Sequence, residues 1–190
     1  MTPDTGTRPM RADARRNRDR LVTAAVRAFS DGRPDVTLEA VARDAGVGIG
    51  TLYRHFPTRE ALVEAAYRTE LARLCDAAGE LLADRPPERA LRSWMDRFVA
   101  YATAKRGMAD ALRALVASGG NPFAETRGRL LAAVASLLEA GARAGTVRDD
   151  VEADDVLASL SGVSLAAHDA AQAGRMLDLL AHGLLTCRPC

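Results

Sequence analysis

Between Thr37 and Leu62 the chain reads "TLEAVARDAGVGIGTLYRHFPTREAL", and its breakers leave room for two very short helices before a longer one begins. Thr37 is a good helix cap, with Leu38, Val41 and Ala42 at helical spacing behind it and Gly46 placed to end the turn. The next run, Gly48 to Phe56, sets Leu52 and Phe56 four apart on one face, and Pro57 closes it. Thr58 can then cap "REALVEAAYRTELARL", whose inner stripe is Leu62, Ala66, Leu71 and Leu74. A short helix, a turn containing glycine and a second short helix form a helix-turn-helix pattern.

Everything outside this stretch also reads as helix. Aromatic residues are only 4% of the 190, while Ala, Leu, Arg and Glu, all good helix formers, are abundant. Upstream, Leu21, Ala24, Ala25, Ala28 and Phe29 predict a first helix from about Asp13 to Ser30, stopped by "DGRPD". Residues 1–12, with two prolines and no periodicity, read as a flexible arm. Downstream, "DRPPERALRSWMDRFVAYATAK" starts after two prolines, "MADALRALVA" ends at "SGGNP", and a longer run goes from Pro122 towards Ala144. The last two runs are "EADDVLASLSGVSLAAHDAAQ" and "RMLDLLAHGLLTC". The expected architecture is all-α with about nine helices, and no segment reads as a strand. Its N-terminal three-helix helix-turn-helix domain (13–60) is followed by a larger helical domain (61–187).

The second short helix suits the major groove of DNA. A groove admits a helix only if its leading face is slim, and Gly48 and Gly50 remove bulk there. Ile49 and Thr51 offer methyl groups to thymine, and Arg54 is able to make a bidentate contact to guanine. Tyr53 and His55 can hydrogen-bond phosphates, which positions the helix without reading sequence. Two glycines in one short helix cost about 1 kcal/mol each relative to alanine, so they need a reason, and close approach to a partner supplies one. Net charge is only +1, but the N-terminal arginines, Arg15 and Arg16 among them, outnumber the acids there and suit phosphate. Taken singly, Tyr53, Arg54 and His55 also read as ordinary surface residues.

Thr37, Val41-Ala42, Ala45-Gly46-Val47, Gly50-Thr51-Leu52-Tyr53, His55-Phe56, Arg59-Glu60 and Leu62 together resemble the signature of the TetR family of bacterial transcriptional regulators. The resemblance runs over about residues 13–64. The segment "RSWMDRFVAYATAKRGMADALRALVASGGNPF" resembles the SbtR-like subgroup. The family resemblance implies a homodimer paired through its last two helices, bound to a double-stranded DNA operator and released by an unidentified small-molecule effector. It gives DNA-contact roles to Thr37, Gly50, Thr51, Tyr53, Arg54, His55 and Arg59. Two positions depart from the family pattern. Gly48 stands where serine is usual, and Arg59 stands where lysine is usual, with its charge retained to reach a phosphate.

The larger half carries softer signals. Ala158, Ser161, Gly162, Ala166 and Ala170 are small residues that let helices approach closely, as a dimer interface or as the monomer's own core. Trp94, Phe98, Tyr101, Met108, Leu112 and Phe123, with His168 as a polar contact, suit an effector pocket and equally a packed core. No phosphate loop, nucleophile elbow or His-Glu metal motif occurs, so no enzyme, catalytic residue, metal site or cofactor is expected. His182, Cys187 and Cys190 give at most three ligands near the chain end and read as incidental. No apolar run is long enough to span a membrane, which points to a cytoplasmic protein.

Overall fold

The computed structural model describes residues 7–30 and 36–186, and the elements in them are nine α-helices. These are α1 (Thr7–Ser30), α2 (Leu38–Asp44), α3 (Ile49–His55), α4 (Arg59–Asp84) and α5 (Pro87–Gly107), then α6 (Ala109–Ala117), α7 (Thr126–Arg143), α8 (Ala153–Ala166) and α9 (Ala170–Leu184). The "DGRPD" stop after α1, the first six residues of the expected arm, and Cys187 and Cys190 lie outside the described residues.

Two boundaries differ from expectation. The first helix begins at Thr7, six residues before Asp13, so helix replaces half of the expected arm. Pro9 does not prevent this, because the first N–H groups of a helix have no intrahelical acceptor and a missing one costs nothing there. At the other end, α7 starts at Thr126, four residues after Pro122. Residues 122–125 form a turn instead, closed by Thr126 N–H on the Phe123 carbonyl at 3.0 Å.

The chain divides into two compact units that do not follow chain order. The first takes the described residues up to Thr69 together with Ala104–Pro122, and the second takes Glu70–Thr103 and the described residues from Phe123 onwards. Helices α4 and α5 each contribute to both.

In the first unit α1 packs on both α2 and α3. Leu21, Ala25, Phe29, Val41, Leu52, Phe56 and Leu62 are each at most 3% exposed and form its core. Gly107, the last residue of α5, lies so close to the end of α1 that an added Cβ would overlap the Phe29 carbonyl oxygen. The backbones can touch there only because glycine has no side chain.

In the second unit α8 packs against α7 and α9. Trp94 is fully buried on α5, and its indole N–H donates to the Leu74 carbonyl of α4 at 2.8 Å. Arg92 links α5 to α9, donating from Nε to Asp178 at 2.8 Å and from Nη2 to the Gly174 carbonyl at 3.2 Å. The segment after α7 pairs with the segment after α9. Val147 and Leu185 form an antiparallel bridge, Arg148 N–H donates to the Leu184 carbonyl, and Thr186 Oγ1 donates to the Gly145 carbonyl at 2.8 Å.

Candidate nucleic-acid interface

Thr37 caps α2 as its residue type demands, its Oγ1 accepting from Ala40 N–H at 3.2 Å. The helix ends in the glycine turn, where Gly46 has φ +62°, a conformation other residues enter at a cost. Val47 N–H donates back to the Ala42 carbonyl at 2.9 Å and seals that end. Gly48 then caps α3 with extended backbone and without a side-chain bond, the consequence of lacking a serine hydroxyl.

The two faces of α3 separate cleanly. Leu52 and Phe56, at 0% and 3% exposure, hold it to the core, while Ile49 and Tyr53, at 39% and 46%, face outward. Gly48 and Gly50 are exposed, and a Cβ on either would meet nothing within 4 Å among the described residues. The protein's own packing therefore gives no reason for glycine at these positions. Arg54 is exposed and folded along its own helix, Nε donating to the Gly50 carbonyl at 3.2 Å and Nη2 lying 3.5 Å from Thr51 Oγ1. His55 is half-buried beside Phe56, with ring centroids 6.4 Å apart. Ile49, Gly50, Thr51, Tyr53, Arg54 and His55 thus lie together on one short helix, with Gly48 as its cap.

The arginines around this helix divide into two groups. Arg15 is exposed on α1, and Arg16 is exposed and paired with Asp13 one turn away. Arg18 lies over the Phe56 ring at 5.4 Å, and Arg20 donates to the carbonyl of Gly46 at 3.2 Å. Both reach from α1 to brace α3 and the turn before it. The sequence shows their charge but not their partner, and the partner is what makes them structural. Arg59 departs from expectation. Its guanidinium is half-buried, donates from Nη1 to the Val36 carbonyl and lies over the Phe29 ring at 5.5 Å, turned inward to the protein.

The residues expected around an effector are split between the two units. In the second, Trp94, Phe98 and Tyr101 form a run of tilted rings with centroids 5.8 and 6.1 Å apart, all at most 5% exposed. Phe123 is half-buried there, and His168 is exposed between α8 and α9, its backbone N–H donating to Gln172 Oε1 at 2.9 Å. Met108 and Leu112 are buried in the first unit. An open cleft of about 430 Å³ at the α4–α5 junction is lined by Asp84, Arg85, Pro86, Arg89, Arg92 and Ser93, and by none of the residues expected for the effector. Cys75 on α4 is half-buried, and that burial pushes its thiol pKa up, which disfavours the reactive thiolate.

On α8 and α9 large apolar side chains are left uncovered. Leu165 is 78% exposed and Leu179 is 75% exposed. Ala158, Gly162 and Ala166 of α8 are exposed too, as is Gly183 of α9, four residues after Leu179. The small-residue pattern on α8 was legible in the sequence, but the outward turn of the two leucines was not. No helix among the described residues is long and apolar enough to cross a membrane.

Residues 21–66 match bacterial regulatory proteins of the tetR family, and residues 86–186 match the C-terminal domain of SbtR-like transcriptional regulators. The chain is similar to a solved TetR transcriptional regulator of Streptomyces coelicolor, at 53% identity and TM-score 0.84 over 90% of this chain and 99% of that one. It is also similar to a TetR regulatory protein of Mycobacterium vanbaalenii, at 37% identity and TM-score 0.77 over 94% of this chain and 100% of the other. An HTH-type transcriptional regulator of Staphylococcus aureus is 39% identical over 54 residues, a stretch that spans 28% of this chain and only 29% of that relative. The outward glycines of α3, the braced turn before it and these similarities lead to one assignment: the chain belongs to the TetR family of DNA-binding transcriptional regulators, with a C-terminal domain of the SbtR-like type.

Proposed function

We propose that this protein is a ligand-responsive repressor, which binds a palindromic operator in the cytoplasm as a homodimer and leaves it when a small apolar or amphipathic effector binds. One observation carries this reading: the slim face of α3, where two glycines open outward without any internal need. Residues 13–60 act as the reading domain and 61–187 as the effector-binding and dimerisation domain. Two copies of α3 enter successive major grooves, so half-sites lie about 34–36 Å apart, or a multiple of that. Ile49 and Thr51 contact thymine methyls, and Arg54 swings away from Gly50 to reach a guanine. Tyr53, His55, Thr37, Arg15 and Arg16 hold phosphates. The effector packs against the aromatic run of α5. It must bind the DNA-free conformation more tightly than the bound one, since equal affinity for both shifts nothing.

The test is operator binding by wild type and Arg54→Ala across a base-substitution series. The variant is expected to lose about 1–3 kcal/mol per half-site, with discrimination relaxed at one base pair. Uniform weakening at every position would make Arg54 a phosphate contact and overturn its role as a reader.

A further inference from the structure

Arg59 sits in the first turn of α4, where a positive charge opposes the helix dipole and where Glu60 is the kind of residue expected. Thr58 already caps that end, its Oγ1 accepting from Ala61 N–H at 3.1 Å, so the helix start needs nothing from Arg59. The guanidinium instead reaches back 23 residues to the carbonyl of Val36, the residue immediately before the α2 cap Thr37. Its flat face covers Phe29 near the end of α1. Val36 and Phe29 are themselves buried, at 4% and 2% exposure, so both anchor points are fixed in the core. One side chain therefore joins the end of α1, the entry to α2 and the start of α4. Arg18 and Arg20 do the same for α3 and its turn, on Phe56 and Gly46.

We infer that Arg59 is a positioning residue for DNA reading. It sets α2, and with it Thr37, against the first turn of α4, and it neutralises no phosphate. The inference rests on the operator-binding reading above and deepens it. Planarity is what the site uses, because a guanidinium donates along its edge while its face lies on a ring. Lysine keeps the charge but has no such face.

The experiment measures operator affinity against salt concentration for wild type, Arg59→Gln and Arg59→Lys, well below their melting temperatures. The expected result is an affinity loss of about tenfold for the glutamine variant at every salt concentration. Its log–log salt slope stays that of wild type, and lysine restores the affinity only in part. A phosphate contact behaves differently: removing it flattens the slope by about 0.9, and restoring the charge as lysine recovers both slope and affinity. Either a flattened slope for Arg59→Gln or full recovery by Arg59→Lys would overturn the inference, as would affinity unchanged in both variants. If wild type itself selects no operator from random or genomic DNA, the operator reading fails, and this inference fails with it.

Discussion

A Leu165→Glu, Leu179→Glu double variant is expected to sediment as a folded monomer of 20.2 kDa and to lose operator binding, while wild type sediments near twice that mass. Both leucines stand almost free of their own chain, at 78% and 75% exposure, so folding gains little from them. Fully covering a leucine is worth roughly 1.5–3 kcal/mol, and a symmetric dimer would cover each of these twice. Glutamate at the same places stays solvated in the monomer but would be buried opposite its symmetry mate in the dimer, so the substitution acts on association and leaves the fold alone. Leu184 is a poorer probe, because at 5% exposure it is already buried and a charge there would attack the monomer's core. Loss of operator binding follows from geometry. A dimer holds its second α3 at a fixed distance from the first, and uncoupling them forfeits on the order of 10²–10⁴ in affinity. Wild type that stays monomeric at micromolar concentration, or a double variant that still dimerises, would remove the two-fold operator from the proposal.

Gly50→Ala should make the protein more stable and a worse DNA binder. Alanine is favoured over glycine within a helix by about 1 kcal/mol, and the new methyl would touch nothing within 4 Å among the described residues of the free protein. Most of that gain should therefore appear, raising Tm by about 2–4 °C in a chain of this size. In the complex the methyl lies on the face that must approach the base edges, where overpacking costs about 1–3 kcal/mol per half-site. Opposite signs in two assays on one variant are hard to produce by general damage. Thermal melts and operator titrations on the same preparation decide it. An operator affinity equal to wild type would mean that Gly50 is not at the groove, and the carrying observation for DNA reading would fall.

What the sequence made legible follows from which interactions are local. Helix caps and breakers act within a turn or two, so Thr37, Gly46, Pro57 and Thr58 marked their elements close to where the structure has them. The early start of α1 is hidden in the sequence because residues 1–12 carry two prolines and no periodicity, although a proline in the first turn of a helix breaks no bond. Arginine partners are not local. Arg20 and Gly46 are 26 residues apart, and Arg59 and Val36 are 23 apart, so in sequence both arginines resemble solvated or phosphate-seeking charge. The aromatic run of α5 was equally hard to read. Trp94, Phe98 and Tyr101 recur at the spacing of any buried helix face, and a ring waiting for a ligand has the same periodicity as one packed for good.

The bridge between Val147 and Leu185 changes how the end of the helical chain can move. Helix ends usually fray, since their last carbonyls have no donor within the helix. Here the Leu184 carbonyl, at the last residue of α9, accepts from Arg148 N–H, and Thr186 N–H donates to Thr146 at 3.2 Å. Together with the Thr186 hydroxyl bond to Gly145, made across 41 residues, this turns α8 and α9 into a closed loop. A closed loop cannot unwind from its tip. Hydrogen exchange at the Arg148 and Thr186 amides should therefore be as slow as in the middle of α8, and should rise with it as one cooperative opening.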